Sequence, residues 1–184
     1  MKEPDWKRWI EKRELCKRAM QAYVLRKALR KPLLAPAIYF KKAMHNLDFA
    51  NWLKDKHKDE IPMLFGNDRF YDWCISAYYY AIYHDALALI SAKGFSSKSH
   101  SATLCAIIWF YYHEQKHLEK GDLEIVGAAV DKGDIKIIAE TKNIRERASY
   151  DASANFELVL VEKAKQNAVY FMNKARDILG VKVE

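Results

Sequence analysis

The sequence predicts an all-α protein: an antiparallel helical bundle with an extra basic helix at its N-terminus. Three observations predict it. Apolar residues recur every three or four positions along most of the chain, the spacing of helix faces. Only 6 glycines and 4 prolines punctuate 184 residues, too few for a turn-rich β fold. With 51% hydrophobic residues the chain can bury a substantial core, so disorder is not expected.

Taken in order, the first helix runs from Asp5 to about Arg30, with Trp6, Trp9, Ile10, Cys16, Met20 and Tyr23 forming a broken apolar stripe. Pro32 and Pro36 end it, because proline cannot donate the interior helical hydrogen bond. A second helix spans about Ala37 to Asp55, with Phe40, Met44, Leu47 and Ala50 on one side. KDEIPMLFGND reads as a loop. The third helix runs from about Asp68 to Lys93, and Gly94 supplies a left-handed cap. Ser97 or Ser99 can cap the fourth, which extends to about Lys116. Gly121 to Asp134 is broken by glycines and reads as a turn or two of helix. A fifth helix covers about Ile135 to Arg147. The last runs from about Asn155 to Leu179, with Phe156, Leu160, Ala164 and Phe171 inward. Two units follow: a basic N-terminal helix over 1–36 and a helical bundle over 37–184.

The third helix is unusual. Phe70, Trp73, Ala77, Tyr80 and Leu87 define one face, with Cys74, Ala81 and Ala88 beside it. Between Ala77 and Ile90 the other faces are apolar too. A helix apolar all round must be covered on several sides. It is therefore the centre of a bundle or half of a subunit interface, and a homodimer through the central helices is expected.

Charge is concentrated at one end. Residues 1–33 hold eleven Lys/Arg and four acids, which accounts for the whole formal charge of +7. Such asymmetry suits a phosphate backbone or an acidic partner, while docking on the bundle with the basic face in water is the plainer account. The longest uncharged apolar run, Ser101 to Tyr112, is twelve residues, against ~20 for a membrane span. The N-terminus lacks an apolar signal core. Cys16, Cys74 and Cys105 show neither metal nor disulfide spacing. A cytoplasmic protein without membrane partner, metal or cofactor is expected. No phosphate-binding glycine loop, dinucleotide fingerprint or serine-nucleophile elbow is present.

Several polar residues stand out. His84 lies on the apolar stripe one turn after Tyr80, a hydrogen-bonded core histidine or, alternatively, a proton donor near a dimer cleft. Asp85, the lone acid in the greasy stretch, needs a partner if buried; Arg145 and Arg147 are candidates. In SSKSHS, Lys98, His100 and the serines can contact phosphate, and helix capping explains the serines equally well. His113 and His117 have i, i+4 metal spacing, but a solvated face is the stronger reading.

The run YYAIYHDALALISAKGFSSKSHS resembles the central helix-turn-helix of archaeal HEPN-domain proteins, whose small stand-alone branch shows a YYAxxH…ALLxxKG…SKxHS pattern. IRERASYDAS is similar to that branch's RxxADYD segment. With KKAMHNLDFANWL, the likeness covers roughly Ile38 to Leu179. The resemblance implies a HEPN-like bundle, an RNA- or nucleotide-binding role in a toxin–antitoxin-type pair, and a small nucleotidyltransferase as partner.

It also implies a site. Complete family members are metal-independent ribonucleases that combine an arginine, a polar residue and a histidine four to six positions after the arginine. A histidine with pKa near ~6.5 can take the 2′-hydroxyl proton, and the arginine fork stabilises charge on phosphate. Here the arginine maps to Arg145, Glu146 replaces the polar amide, and Tyr150 stands where the histidine belongs. A phenol with pKa ~10 is about 0.1% ionised at pH 7, so weakened or lost ribonuclease activity is expected at Arg145 and Tyr150. A separation of five also rotates them by about 140° on a regular helix, whereas Arg147 and Asp151, four apart, would share a face. Arg147, His84, His100 and Lys98 are the candidate RNA- or nucleotide-binding residues. A non-catalytic dimerisation and interaction module is the alternative.

Overall fold

The computed structural model describes residues 6–32, 34–131 and 150–181, with backbone only for 130, 131 and 150–157. The elements are α1 (Lys7–Glu11), α2 (Arg13–Leu25), β1 (Leu29–Arg30), α3 (Pro36–Lys56), α4 (Glu60–Phe65), α5 (Tyr71–Ala92), β2 (Ser96–Ser97), α6 (His100–Ile107) continued by a π-helical segment (Ile108–Glu114), α7 (Lys120–Asp131) and α8 (Tyr150–Leu179). The described chain is all-α apart from one two-residue antiparallel ladder, in which Leu29 pairs with Ser97 and Arg30 with Ser96. The expected helix over Ile135 to Arg147 lies outside the described residues.

Helix α5 is the hub. It packs against α3, α6, α7 and α8, and every residue from His84 to Ser91 is buried. Of the two explanations for its all-round apolarity, the chain itself provides the first: α5 is the centre of a bundle. The same holds for Ala102 to Ile108, all buried. Phe95 N–H bonds the Ile90 carbonyl at 3.0 Å around Gly94, whose φ of 80° gives the expected cap. The phase of the N-terminal half is different from the expected stripe. Trp73 is 61% exposed and Tyr80 41%, while Ile75, Tyr78 and Ile82 are buried instead. Equal apolarity on all faces leaves no hydropathy signal to set the rotation.

The N-terminal helix is broken and shorter than expected. Lys12 is extended (φ −123°, ψ 92°) and separates α1 from α2. The break re-aims α1, so that Trp6 packs on α7 at Gly127, where a Cβ would run into the indole, while α2 lies against α6. Helix α2 stops at Leu25, with Ala28 N–H on the Tyr23 carbonyl at 2.9 Å and Lys27 left-handed at φ 57°. Trp6, Trp9, Ile10, Cys16 and Met20 are buried in the same core as the rest of the bundle, as their stripe predicts.

Three other elements depart from expectation. The segment read as a loop contains α4, started by Asp59, whose carboxylate accepts from Glu60 N–H; Pro62 fits because it lies in the first turn. Met44, expected inward on α3, is exposed, although Phe40 and Ala50 are buried. The glycine-bearing stretch after Lys120 is a full helix of 12 residues.

Candidate functional site

The predicted polar residues divide into three groups. Arg145 and Arg147 lie outside the described residues. Tyr150 is the first residue of α8, and its side chain is outside the description. The remaining set is His84 in the interior of α5, Lys98 in the serine link and His100 at the start of α6.

The structure brings His84 and His100 around one ring. Tyr83 meets His100 edge-on at 4.3 Å between centroids and lies 6.0 Å from His84. His84 Nδ1 is 2.7 Å from the Tyr80 carbonyl and 3.0 Å from the Asn46 amide of α3. With the proton on Nδ1 the ring donates to the Tyr80 carbonyl, the shorter of the two contacts; the Asn46 contact is made through Nδ2, which would instead donate to an unprotonated Nδ1. In the Nδ1-protonated tautomer Nε2 keeps its lone pair and has no hydrogen bond among the described residues. Burial pulls the imidazole below its usual pKa, the Tyr80 carbonyl partly opposes this, and nearby Lys42 lowers it further. A neutral, oriented imidazole is a competent base or acceptor. Lys98 is exposed in the adjoining link. Nothing in the sequence singles out Asn46 and Lys42, which the packing of α3 on α5 places here; Tyr83 directly precedes His84 on α5.

The serines of the link serve the backbone. Ser99 accepts from Ala102 N–H at 3.3 Å and caps α6. Ser97 Oγ donates to the Ser99 carbonyl and accepts from its N–H, both at 2.9 Å. Ser96 Oγ donates to the Lys31 carbonyl at 3.0 Å. Capping and anchoring of the N-terminal arm thus account for these three hydroxyls.

Asp85 is fully buried, and neither carboxylate oxygen has a hydrogen-bond partner among the described residues. Desolvation raises its pKa well above the ordinary carboxylate range. Its expected arginine partners are both outside the described residues. His113 Nε2 meets the Trp9 carbonyl at 2.8 Å, which makes it an anchor for the N-terminal arm. Among the described residues no cluster of three His, Cys, Asp or Glu is arranged to hold a metal. Cys16 and Cys105 donate reciprocally to each other's carbonyls at 3.7 Å, joining α2 to α6 as buried free thiols.

The arm itself carries the charge outward. All ten cations from Lys7 to Lys31 are exposed. Arg13 pairs with Glu114 and sits 5.5 Å above the Trp109 ring; the other nine make no ion pair among the described residues. Among the described residues no helix is long and apolar enough to cross a membrane. No family model matches the chain, and no curated protein or solved structure matches it.

Proposed function

We propose that the chain is an RNA- or nucleotide-binding helical protein of the HEPN kind, one component of a toxin–antitoxin-type pair whose partner is a small nucleotidyltransferase. The observation that carries the binding half is the solvent-facing row of cations on an arm held firmly in the core. The arm presents fixed charge, since Trp6, Trp9 and Met20 are buried beneath it. Family assignment and partner rest on the sequence resemblance. With phenol at position 150, binding without efficient cleavage is the reading we favour.

Deleting the arm would open the core, so charge substitution is the cleaner test. Lys7, Arg8 and Lys12 changed together to Gln should weaken binding of single-stranded RNA. The log–log salt slope should fall by about 0.7 for each phosphate that is no longer neutralised on a single strand. An unchanged slope in the folded variant sinks the reading.

A second reading, a homodimerising interaction module, is favoured by a different surface. Phe49 and Trp52 stack at 6.1 Å on the outside of α3. Trp73 and Tyr80 are exposed on α5, and Met63, Leu64 and Phe65 are exposed on α4. Exposed aromatics in this number mark association surfaces.

A further inference from the structure

The face of α2 that turns toward the π-helical segment forms an apolar cleft of about 540 Å³. Met20, Gln21, Val24 and Leu25 form one wall, and Phe95, Trp109 and Phe110 the other. Phe95 and Phe110 stack at 5.5 Å within that second wall. Gln21 and the indole N–H of Trp109 are the polar side-chain groups among these lining residues. Leu25 is 83% exposed and Val24 42%, so two aliphatic side chains stand in water beside a concavity rather than closing it.

The cleft opens within the most basic part of the molecule. Lys17 precedes Gln21 by one turn, on the same face of α2, and Arg18 is beside it. Arg26 and Lys27 follow Leu25 directly. All four are exposed and without ion pairs among the described residues. An apolar trough edged by cations is complementary to a ridge of apolar side chains edged by acids. We propose that this cleft docks an acidic amphipathic helix of a partner protein, with apolar anchors at i, i+4 and i+7 in the trough and carboxylates against Lys17, Arg18, Arg26 and Lys27. The inference goes beyond the RNA reading and does not depend on it.

Other occupants fit less well. A two-fold contact with a second copy would set this basic helix against itself. A phosphodiester chain lowered into the trough would find one amide and one indole N–H to replace its water. A membrane surface is met by a protruding apolar wedge, whereas this surface is concave.

The experiment is a selection of displayed amphipathic 16-residue peptides, of all charge types, on the full chain. Enriched sequences should be net acidic with apolar residues at i, i+4 and i+7. Synthetic versions should lose about tenfold or more in affinity against Leu25→Asp, and also when their acids are replaced by Lys. Leu25 is exposed, so its variant should keep the wild-type melting curve; Phe110→Ala is the second cleft variant. Failure to enrich any peptide, enrichment without acidic bias, or binding insensitive to both variants overturns the proposal. So does a self-association, or a binding to anionic phosphatidylserine vesicles, that Leu25→Asp abolishes while no peptide binds. RNA binding is scored separately through the variant with Lys7, Arg8 and Lys12 changed to Gln, so the two readings fail independently.

Discussion

The two halves of α5 are equally apolar in sequence and end in opposite environments. From His84 to Ser91 every side chain is sealed by the chain's own helices. From Trp73 to Tyr80 the helix leaves Trp73 and Tyr80 substantially exposed. Hydropathy reports that a surface must be covered; it does not report by what. In the C-terminal half the cover is intramolecular, so that half cannot supply the dimer contact expected of it. In the N-terminal half Trp73 and Tyr80 remain 61% and 41% exposed.

The sharpest way to break this contrast is a large-to-small change in the sealed half. Leu89 is fully buried, and its carbonyl accepts the Tyr111 hydroxyl at 2.7 Å. Leu89→Ala should cost about 2–5 kcal/mol through lost transfer energy and a residual cavity. Urea unfolding of the variant gives the number. A cost near zero would mean that the C-terminal half of α5 is not the core.

The next effect is smaller and depends on pH. Asp85 has its pKa raised by desolvation, so the folded state binds more protons than the unfolded one between the usual carboxylate pKa and the raised value. Stability therefore falls as pH rises through that window. Asp85→Asn removes the ionisation while nearly keeping the shape, and should stabilise by about 1–3 kcal/mol at pH 8 and by progressively less toward pH 5. Two histidines act in the opposite sense. His57 places Nδ1 2.8 Å from the Leu53 carbonyl and accepts the Phe70 N–H on Nε2 at 3.0 Å, so it must be neutral. Burial lowers its pKa, as it does that of His84. Their contribution is complete above the ordinary imidazole pKa and is lost as pH falls through the lowered values. Urea midpoints from pH 5 to 8 should thus flatten on the alkaline side in Asp85→Asn and keep their acid-side decline. An unchanged alkaline slope would show that Asp85 is ionised and paired.

What the sequence makes legible follows the same physics. Some local patterns are read correctly: the arm's buried stripe, the Gly94 cap, and a serine cap for α6, open in sequence between Ser97 and Ser99 and made by Ser99, follow from local residue types. The break at Lys12 does not, because no glycine or proline marks it, and tertiary docking of Trp6 on Gly127 decides where α1 goes. The π-helical segment is also silent in sequence; Gln115 N–H reaching the Phe110 carbonyl at 3.0 Å is a widened turn made by packing. Of the candidate site, His84 and His100 are visible individually. Their meeting around Tyr83 requires the fold, since it joins the middle of α5 to the start of α6 and borrows Asn46 from α3.

The smallest expected effect on stability separates the two halves most cleanly. Trp73 is large and aromatic, yet its exposure means that Trp73→Ser removes little buried area, and a change within about 0.5 kcal/mol is expected in urea unfolding of the monomer. If a second copy covers Trp73, the same substitution removes an aromatic anchor of the kind that dominates interfaces. The dimer dissociation constant from sedimentation equilibrium should then rise by about tenfold or more, with Phe49→Ser acting in the same direction. The two readouts decide between covers. A large stability loss in the monomer would place Trp73 in the core. A wild-type monomer at micromolar concentration, or a dimer indifferent to both substitutions, would leave these exposed rings to a different protein and remove self-association from the reading. Leu89→Ala, by contrast, should weaken the fold without changing the affinity of the copies that remain folded, because its neighbours all belong to its own chain.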